Sequence, residues 1–250
     1  MSTPDTKPSW RVQEVRQALH RYASVEKAQR LRQFFKTGKG EYAEQDVFIG
    51  VTVPEIRKVV AQFQDLPLDN VLWFLASPLH EERMLAVLLL VTKFQKGHAA
   101  ARRHIVQMYI QHLHAINNWD LVDASAPHIL GAYLQDKRRT LLDKLVRSEN
   151  MWARRAAIVA TLHFIKRGEF ADTLRLATRL LADQEDLLHK ATGWMLREVG
   201  KRAPNVLEDF LRVHLARMPR TMLRYATERF PQAKREAYLK GLLNHGKPEG

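Results

Sequence analysis

Residues 117–132 read NNWDLVDASAPHILGA, an apolar stretch that carries one tryptophan, Trp119, and two acids, Asp120 and Asp123. Coiled as an α-helix, it puts Trp119 and Asp123 four residues apart on one face, with Asp120 about 100° away on the wheel. Two later stretches share its character: MWARRAAIVATL at 151–162 and LLHKATGWML at 187–196 are apolar, and each carries a large aromatic and a base.

From this stretch the chain repeats in both directions. Arg83 in EERMLAVLLL, Trp119, Arg154 in WARRAAIVAT, His189 in LHKATGWML and Arg224 in MLRYATERF are spaced 36, 35, 35 and 35 residues apart. Second amphipathic stretches lie between them: ARRHIVQMYIQHL, RRTLLDKLV, FADTLRLATRLL and VLEDFLRVHLAR. Gly97, Gly131, Gly168, Gly200 and Pro204 read as breakers between elements. No strand-like alternation appears. A period near 35 with two helices per unit predicts an all-α fold, a right-handed superhelical solenoid of HEAT-like helical repeats with a concave basic groove. In the repeat register Trp119 stands at 0, Arg155 at +1, Asp123 at +4 and Trp194 at +5, an arc of about 140° on a helix. Stacked repeats are therefore expected to bring these four residues to one surface.

The rest of the chain sets the bounds. Residues 1–9 and 243–250 are expected to be disordered tails around a single repeat domain at 10–242. Two helices are expected between Trp10 and Lys36, ended by the Gly-Lys-Gly break at 38–40. Thr52 and Glu55, with Pro54 between them, form a capping box that starts a helix. Lys and Arg number 40 against 27 for Asp and Glu, a net charge of +13, which points to a polyanionic partner, most often nucleic acid. The chain has no cysteine, which excludes a disulfide framework and thiolate metal sites. The start, MSTPDTKPSW, has no apolar signal core, and the longest apolar run, Leu85 to Val91, is too short to span a bilayer. A soluble, cytoplasmic protein is expected. Among the 11 histidines there is no HExxH and no metal-ligand spacing, and neither a phosphate loop nor a nucleophile elbow occurs.

NNWDLVDASAPHILG, NMWARRAAIV and KATGWMLREVGK closely resemble motifs of the DNA alkylation repair glycosylases of the AlkD type, and FIGVTVPEIRKV and MLRYATERF look like that family's pattern too. The resemblance covers about residues 20–240. It implies a HEAT-like repeat fold and excision of N3- and N7-alkylated purines from double-stranded DNA without metal or organic cofactor; a monomer is expected. It also implies that the duplex is held in an open groove, with no deep base-flipping pocket. The family's catalytic aspartate matches Asp123, its two lesion-contacting tryptophans match Trp119 and Trp194, and its motif arginine matches Arg155. Some members carry a second tryptophan where this chain has Asn118. Arg154, Lys190 and Arg197 are candidates for phosphate contacts. Two other readings remain open from the residues alone: a non-catalytic HEAT-repeat DNA-binding protein, which gains nothing from Asp123, and a protein scaffold, which has little need of such a charge. If the charge serves DNA, log affinity for duplex should fall linearly with log salt, with a slope of about −5 for roughly six phosphate contacts. A slope near zero in a salt titration would remove nucleic acid as the partner.

Overall fold

The apolar positions recur at helical spacing, and among the described residues every regular element is helical, with one isolated bridge between Val47 and Leu79. The structure is a computed structural model and describes residues 9–242. The expected tails lie outside those residues, except that Ser9 is ordered and its hydroxyl accepts from the Val12 amide at the head of α1. The chain forms two units, one ending at Ser125 and the other starting at Ala126.

The first unit holds α1 (Trp10–His20), α2 (Val25–Phe34), α3 (Val53–Gln62), α4 (Leu68–Leu75), α5 (His80–Lys96), α6 (Ala99–Gln111) and α7 (Trp119–Ala126), whose last residue belongs to the second unit. The capping box forms as the sequence predicts: Glu55 accepts from both the amide and the hydroxyl of Thr52, each at 2.7 Å. At its centre lies α5, packed on α3, α4 and α6 and buried on every side from His80 to Val91. A helix that is buried all round belongs in a core. Yet α5 starts with four ionisable residues, His80, Glu81, Glu82 and Arg83, at 3%, 1%, 0% and 5% exposure. Each has its own partner. The Glu81 carboxylate accepts from the amides of Ile49, Gly50 and Val51 at 2.8–3.2 Å. Glu82 takes a two-pronged bond from Arg16 at 2.6 and 2.9 Å, and that guanidinium lies over the Trp73 ring. Arg83 donates to the Ser77 carbonyl at 2.9 Å and to Asp46 at 2.5 Å.

The second unit continues from α7 through a wide π-helical turn, Pro127–Gly131, where Pro127 has no amide hydrogen to extend the α ladder. After it come α8 (Ala132–Leu134), α9 (Thr140–Leu145), α10 (Met151–Ala160), α11 (Leu162–Ile165), α12 (Ala171–Leu180), α13 (Asp186–Gly200), α14 (Pro204–His214), a 3-10 turn (Leu215–Arg217), α15 (Arg220–Ala226) and α16 (Gln232–Leu239). Here α13 is central, packed on α10, α11, α12, α14 and α15. The five reference positions of the 35-residue period fall in α5, α7, α10, α13 and α15, and the intervening stretches form α6, α9, α12 and α14.

One expected breaker has another role. Gly131 lies inside the helical run from 119 to 134, where a methyl group would come 2.4 Å from the Ala160 carbonyl oxygen and 2.6 Å from the His163 Cβ. The residue permits close approach to the end of α10 and does not end a helix. Gly193 does the same for α13 and α15, with the Met222 carbonyl oxygen 2.5 Å from where a Cβ would stand. Gly193→Ala should therefore push two backbones apart and cost about 1–3 kcal/mol or more. A thermal melt at the wild-type temperature would show that α15 shifts without penalty.

Candidate functional site

The first turn of α7 is fixed from below. The Asn118 carbonyl group of the side chain accepts from the Trp119 amide at 2.7 Å, and its Nδ2 donates to Asp46 Oδ2 at 2.8 Å. Asn118 is fully buried, so the residue at which some AlkD-type proteins carry a tryptophan is here an anchor. Asp120 accepts from the Leu121 amide through Oδ1 at 2.8 Å and meets His80 Nε2 through Oδ2 at 2.9 Å. His80 Nδ1 lies 2.9 Å from Asp46 Oδ2. Burial pulls the His80 pKa down, but the hydrogen bonds to Asp120 and Asp46 and the charges behind them overrule it and raise it to about 9. For Asp46, burial works upward, and His80, Arg83 and Asn118 together hold its carboxyl below the usual carboxylate range.

Trp119 stands half-buried over this network. Phe35 stacks on the indole at 5.3 Å between centroids and 23°, Phe34 meets it edge-on at 5.9 Å, and Nε1 donates to the Tyr42 hydroxyl at 3.2 Å. Phe35 also stacks on Phe48, and His80 lies against both rings at 4.9 and 4.6 Å. One side of the indole is thus occupied by Phe35, and a cation would have to approach from another. Asp123 follows one turn later on α7 and is half-buried. Behind it, the buried Tyr109 hydroxyl bonds Ser125 Oγ at 2.8 Å, and burial, with the Asp123 charge nearby, pushes the phenol pKa up.

The second unit carries the remaining candidates. Arg155 on α10 is buried, at 5% exposure, and Nη1 donates to the Leu187 carbonyl in the first turn of α13 at 2.6 Å. Trp194 lies half-buried on α13. The three candidate phosphate contacts all have acidic partners. Arg154 bonds Asp183 at 2.7 and 3.3 Å and the carbonyls of Ser148 and Glu149 at 2.9 Å. Lys190 pairs with Asp186 at 2.8 Å, and Arg197 pairs with Glu228. The structure brings Trp119 and Asp123 together on α7, and within the second unit it sets Arg155 against the start of α13.

His80, Asp46 and Asn118 were not among the sequence candidates. Asp120, about 100° from Trp119 on the helix wheel, meets His80. The usable signal was HEER at 80–83, four polar residues opening an apolar run. One imidazole between two carboxylates could suggest a metal site, but both ring nitrogens already face carboxylate oxygens. Among the described residues no group of three or more His, Asp or Glu is arranged to hold a metal ion. No helix among them is long and apolar enough to cross a membrane.

A family model described as "DNA alkylation repair enzyme" matches residues 15–230. A solved structure, described as a predicted DNA alkylation repair enzyme from Enterococcus faecalis, superposes with a TM-score of 0.65 at 19% identity, covering 84% of this chain and 97% of that one. No curated protein matches the chain.

The His80 cluster makes stability pH-dependent, with a definite sign. A histidine whose pKa is raised on folding contributes fully below its ordinary value of 6.5 and loses that contribution as pH rises through about 9. Asp46, whose pKa is lowered, contributes above its ordinary value of 3.8 and loses the contribution as pH falls through its depressed value. Calorimetric melting temperatures should therefore decline on both sides of a plateau. A flat alkaline side through pH 9 would show that His80 is neutral in the folded chain.

Proposed function

The chain belongs to the DNA alkylation repair enzyme family, and from that premise we propose that it is a DNA glycosylase that removes cationic N3- and N7-alkylated purines, such as 3-methyladenine and 7-methylguanine, from double-stranded DNA. It acts as a monomer and without metal or organic cofactor. The reading is carried by one observation: a half-buried carboxylate, Asp123, one helical turn from a half-buried indole, Trp119, in a chain of net charge +13.

The chemistry explains why such a pair serves. A purine alkylated at N7 or N3 is already positively charged. When its C1′–N9 bond breaks, the base takes the electron pair and leaves neutral, and positive charge passes to the sugar as an oxocarbenium ion. Water then adds to C1′ and gives up a proton. A carboxylate beside C1′ stabilises the sugar cation and can hold the water or accept its proton. We assign that role to Asp123. The indole faces of Trp119 and Trp194 attract cations, which suits both the lesion and the sugar charge. Arg155 is assigned to a phosphate beside the lesion; its bond to the Leu187 carbonyl holds the guanidinium in one orientation, as such a contact requires. Arg154, Lys190 and Arg197 are assigned to the DNA backbone. Lys190 has least to give up for a phosphate, since its exposed partner Asp186 lies one turn away on the same helix and such pairs contribute little. A base that leaves because it is charged needs no reading of its edge. We therefore place the lesion in an open groove and invoke no deep pocket of the kind used for neutral bases.

A carboxylate on a DNA-binding surface repels phosphate, so binding alone gives no reason for Asp123. Asp123→Asn keeps its size and removes its charge. Single-turnover release of free 7-methylguanine should fall by roughly a hundredfold or more, with affinity for undamaged duplex unchanged or slightly raised. A residue remains because cationic lesions also depurinate unaided. If the variant melts lower and yet releases base at the wild-type rate per folded molecule, Asp123 is structural and the non-catalytic DNA-binding reading takes its place.

A further inference from the structure

The cluster beneath α7 contains a histidine to which the proposed chemistry gives no part. His80 is 3% exposed, and both of its ring nitrogens lie 2.9 Å from carboxylate oxygens, Asp46 on one side and Asp120 on the other. An ionised carboxylate has no proton to donate, so each contact takes its hydrogen from the ring, and only the imidazolium has two N–H groups. The charges balance in that state: His80 and Arg83 face Asp46 and Asp120. Asp46, from the loop before α3, and Asp120, from the head of α7, meet the two ring nitrogens, while Arg83 and the neutral Asn118 donate to Asp46. Glu81 and Glu82, next along α5, are engaged elsewhere, with residues 49–51 and with Arg16. The aromatic side completes the link, since Phe35 lies against both His80 and Trp119.

We infer that His80 is a positioning residue: donating from both ring nitrogens, it ties Asp120 to Asp46 and so sets where α7 holds Trp119 and Asp123. The clamp itself stands on this geometry, and its effect on base release rests on the glycosylase reading. Loss of one proton leaves a single N–H between two carboxylates. Asp46 keeps Arg83 and Asn118 as donors and is 3% exposed, whereas the Asp120 side chain is 14% exposed and keeps the Leu121 amide of its own helix, which does not tie it to Asp46. Asp120 is then the end that lets go, and the first turn of α7 loosens with it. The same balance makes Asp120 a poor control for Asp123, because Asp120→Asn removes one of the two charges that hold the His80 proton.

The full chain labelled with ¹⁵N in histidine and in the tryptophan indoles reads the clamp directly, with His80→Gln and Trp119→Phe identifying the two signals. At neutral pH both His80 nitrogens should carry protons. They should titrate near pH 9, and the Trp119 indole signal should move in the same step. In Asp120→Asn that step should move down by about a unit or more. Single-turnover release of 7-methylguanine, corrected at each pH by DNA without protein, should fall along the wild-type step and follow it down in Asp120→Asn. His80→Gln, whose amide nitrogen can donate toward one carboxylate while its carbonyl oxygen can only accept, should lose roughly ten- to a hundredfold in release at neutral pH, with affinity for undamaged duplex retained. A neutral His80 at neutral pH, or a Trp119 signal indifferent to the step, overturns the clamp. Release that stays level through the step overturns its role in the reaction. If wild-type protein releases no base at any pH, the glycosylase reading falls, and the two nuclear resonance signals still decide the clamp.

Discussion

Four ionisable side chains in succession, His80 to Arg83, lie inside the first unit, and that unit's order depends on each one being paired. Burying a charge costs several kcal/mol unless it is bonded, and removing one partner of a buried pair costs about 3–5 kcal/mol. The helix therefore cannot occupy its place with its surroundings loose. Glu81 requires the amides at 49–51, which shapes the loop into α3. Glu82 requires Arg16, which fixes α1. His80 and Arg83 require Asp46, and through Asp46 and Asp120 they fix the head of α7. Hydrophobic burial puts α5 in the centre, and these four residues decide which segments are allowed around its first turn.

The second unit reaches order by a different route. Its central helix, α13, carries Gly193 where α15 comes close, and Gly131 plays the same part against α10. Small residues bring backbones within reach of one another, and dispersion over many close contacts replaces paired charge. Its ion pairs include that of Arg139, which joins Glu169 and Asp172 while its guanidinium lies over the Phe164 ring. The chain thus builds similar helical repeats around two kinds of core.

The repeat was legible because its period is carried by apolar residues, which must be buried wherever they fall. The same is true of the capping box, a local signal closed within four residues. Gly131 was misread because a glycine marks a break or a close approach with the same letter, and only the packing of α10 distinguishes the two. The HEER segment was not legible for a different reason. Charged residues are rarely buried, and the groups that allow it here, Arg16, Asp46 and Asp120, lie 66, 34 and 40 residues away. Asn118 likewise looked like a missing tryptophan, since nothing local announces its bond to Asp46 across 72 residues. Of the candidate site, Trp119 and Asp123 were legible as a helical pair; the support beneath them was not.

Net charge was the first pointer to DNA, and the structure changes what that number means. Arg154 and Arg197 are matched by Asp183 and Glu228, so each would exchange one anion for another on meeting a phosphate. Such an exchange gives less than full counterion release, because the base was already neutralised. Exposed bases also follow the C-terminal ends of α8, α11 and α13: Lys137 and Arg138, Lys166 and Arg167, and Lys201 and Arg202, the last two paired with Glu198. Part of their placement is local, since cations favour helix C-termini. That local preference requires one base per helix end, however, and here they come in pairs. At the ends of α8 and α11 the second base, Arg138 or Arg167, is what the helix alone does not explain.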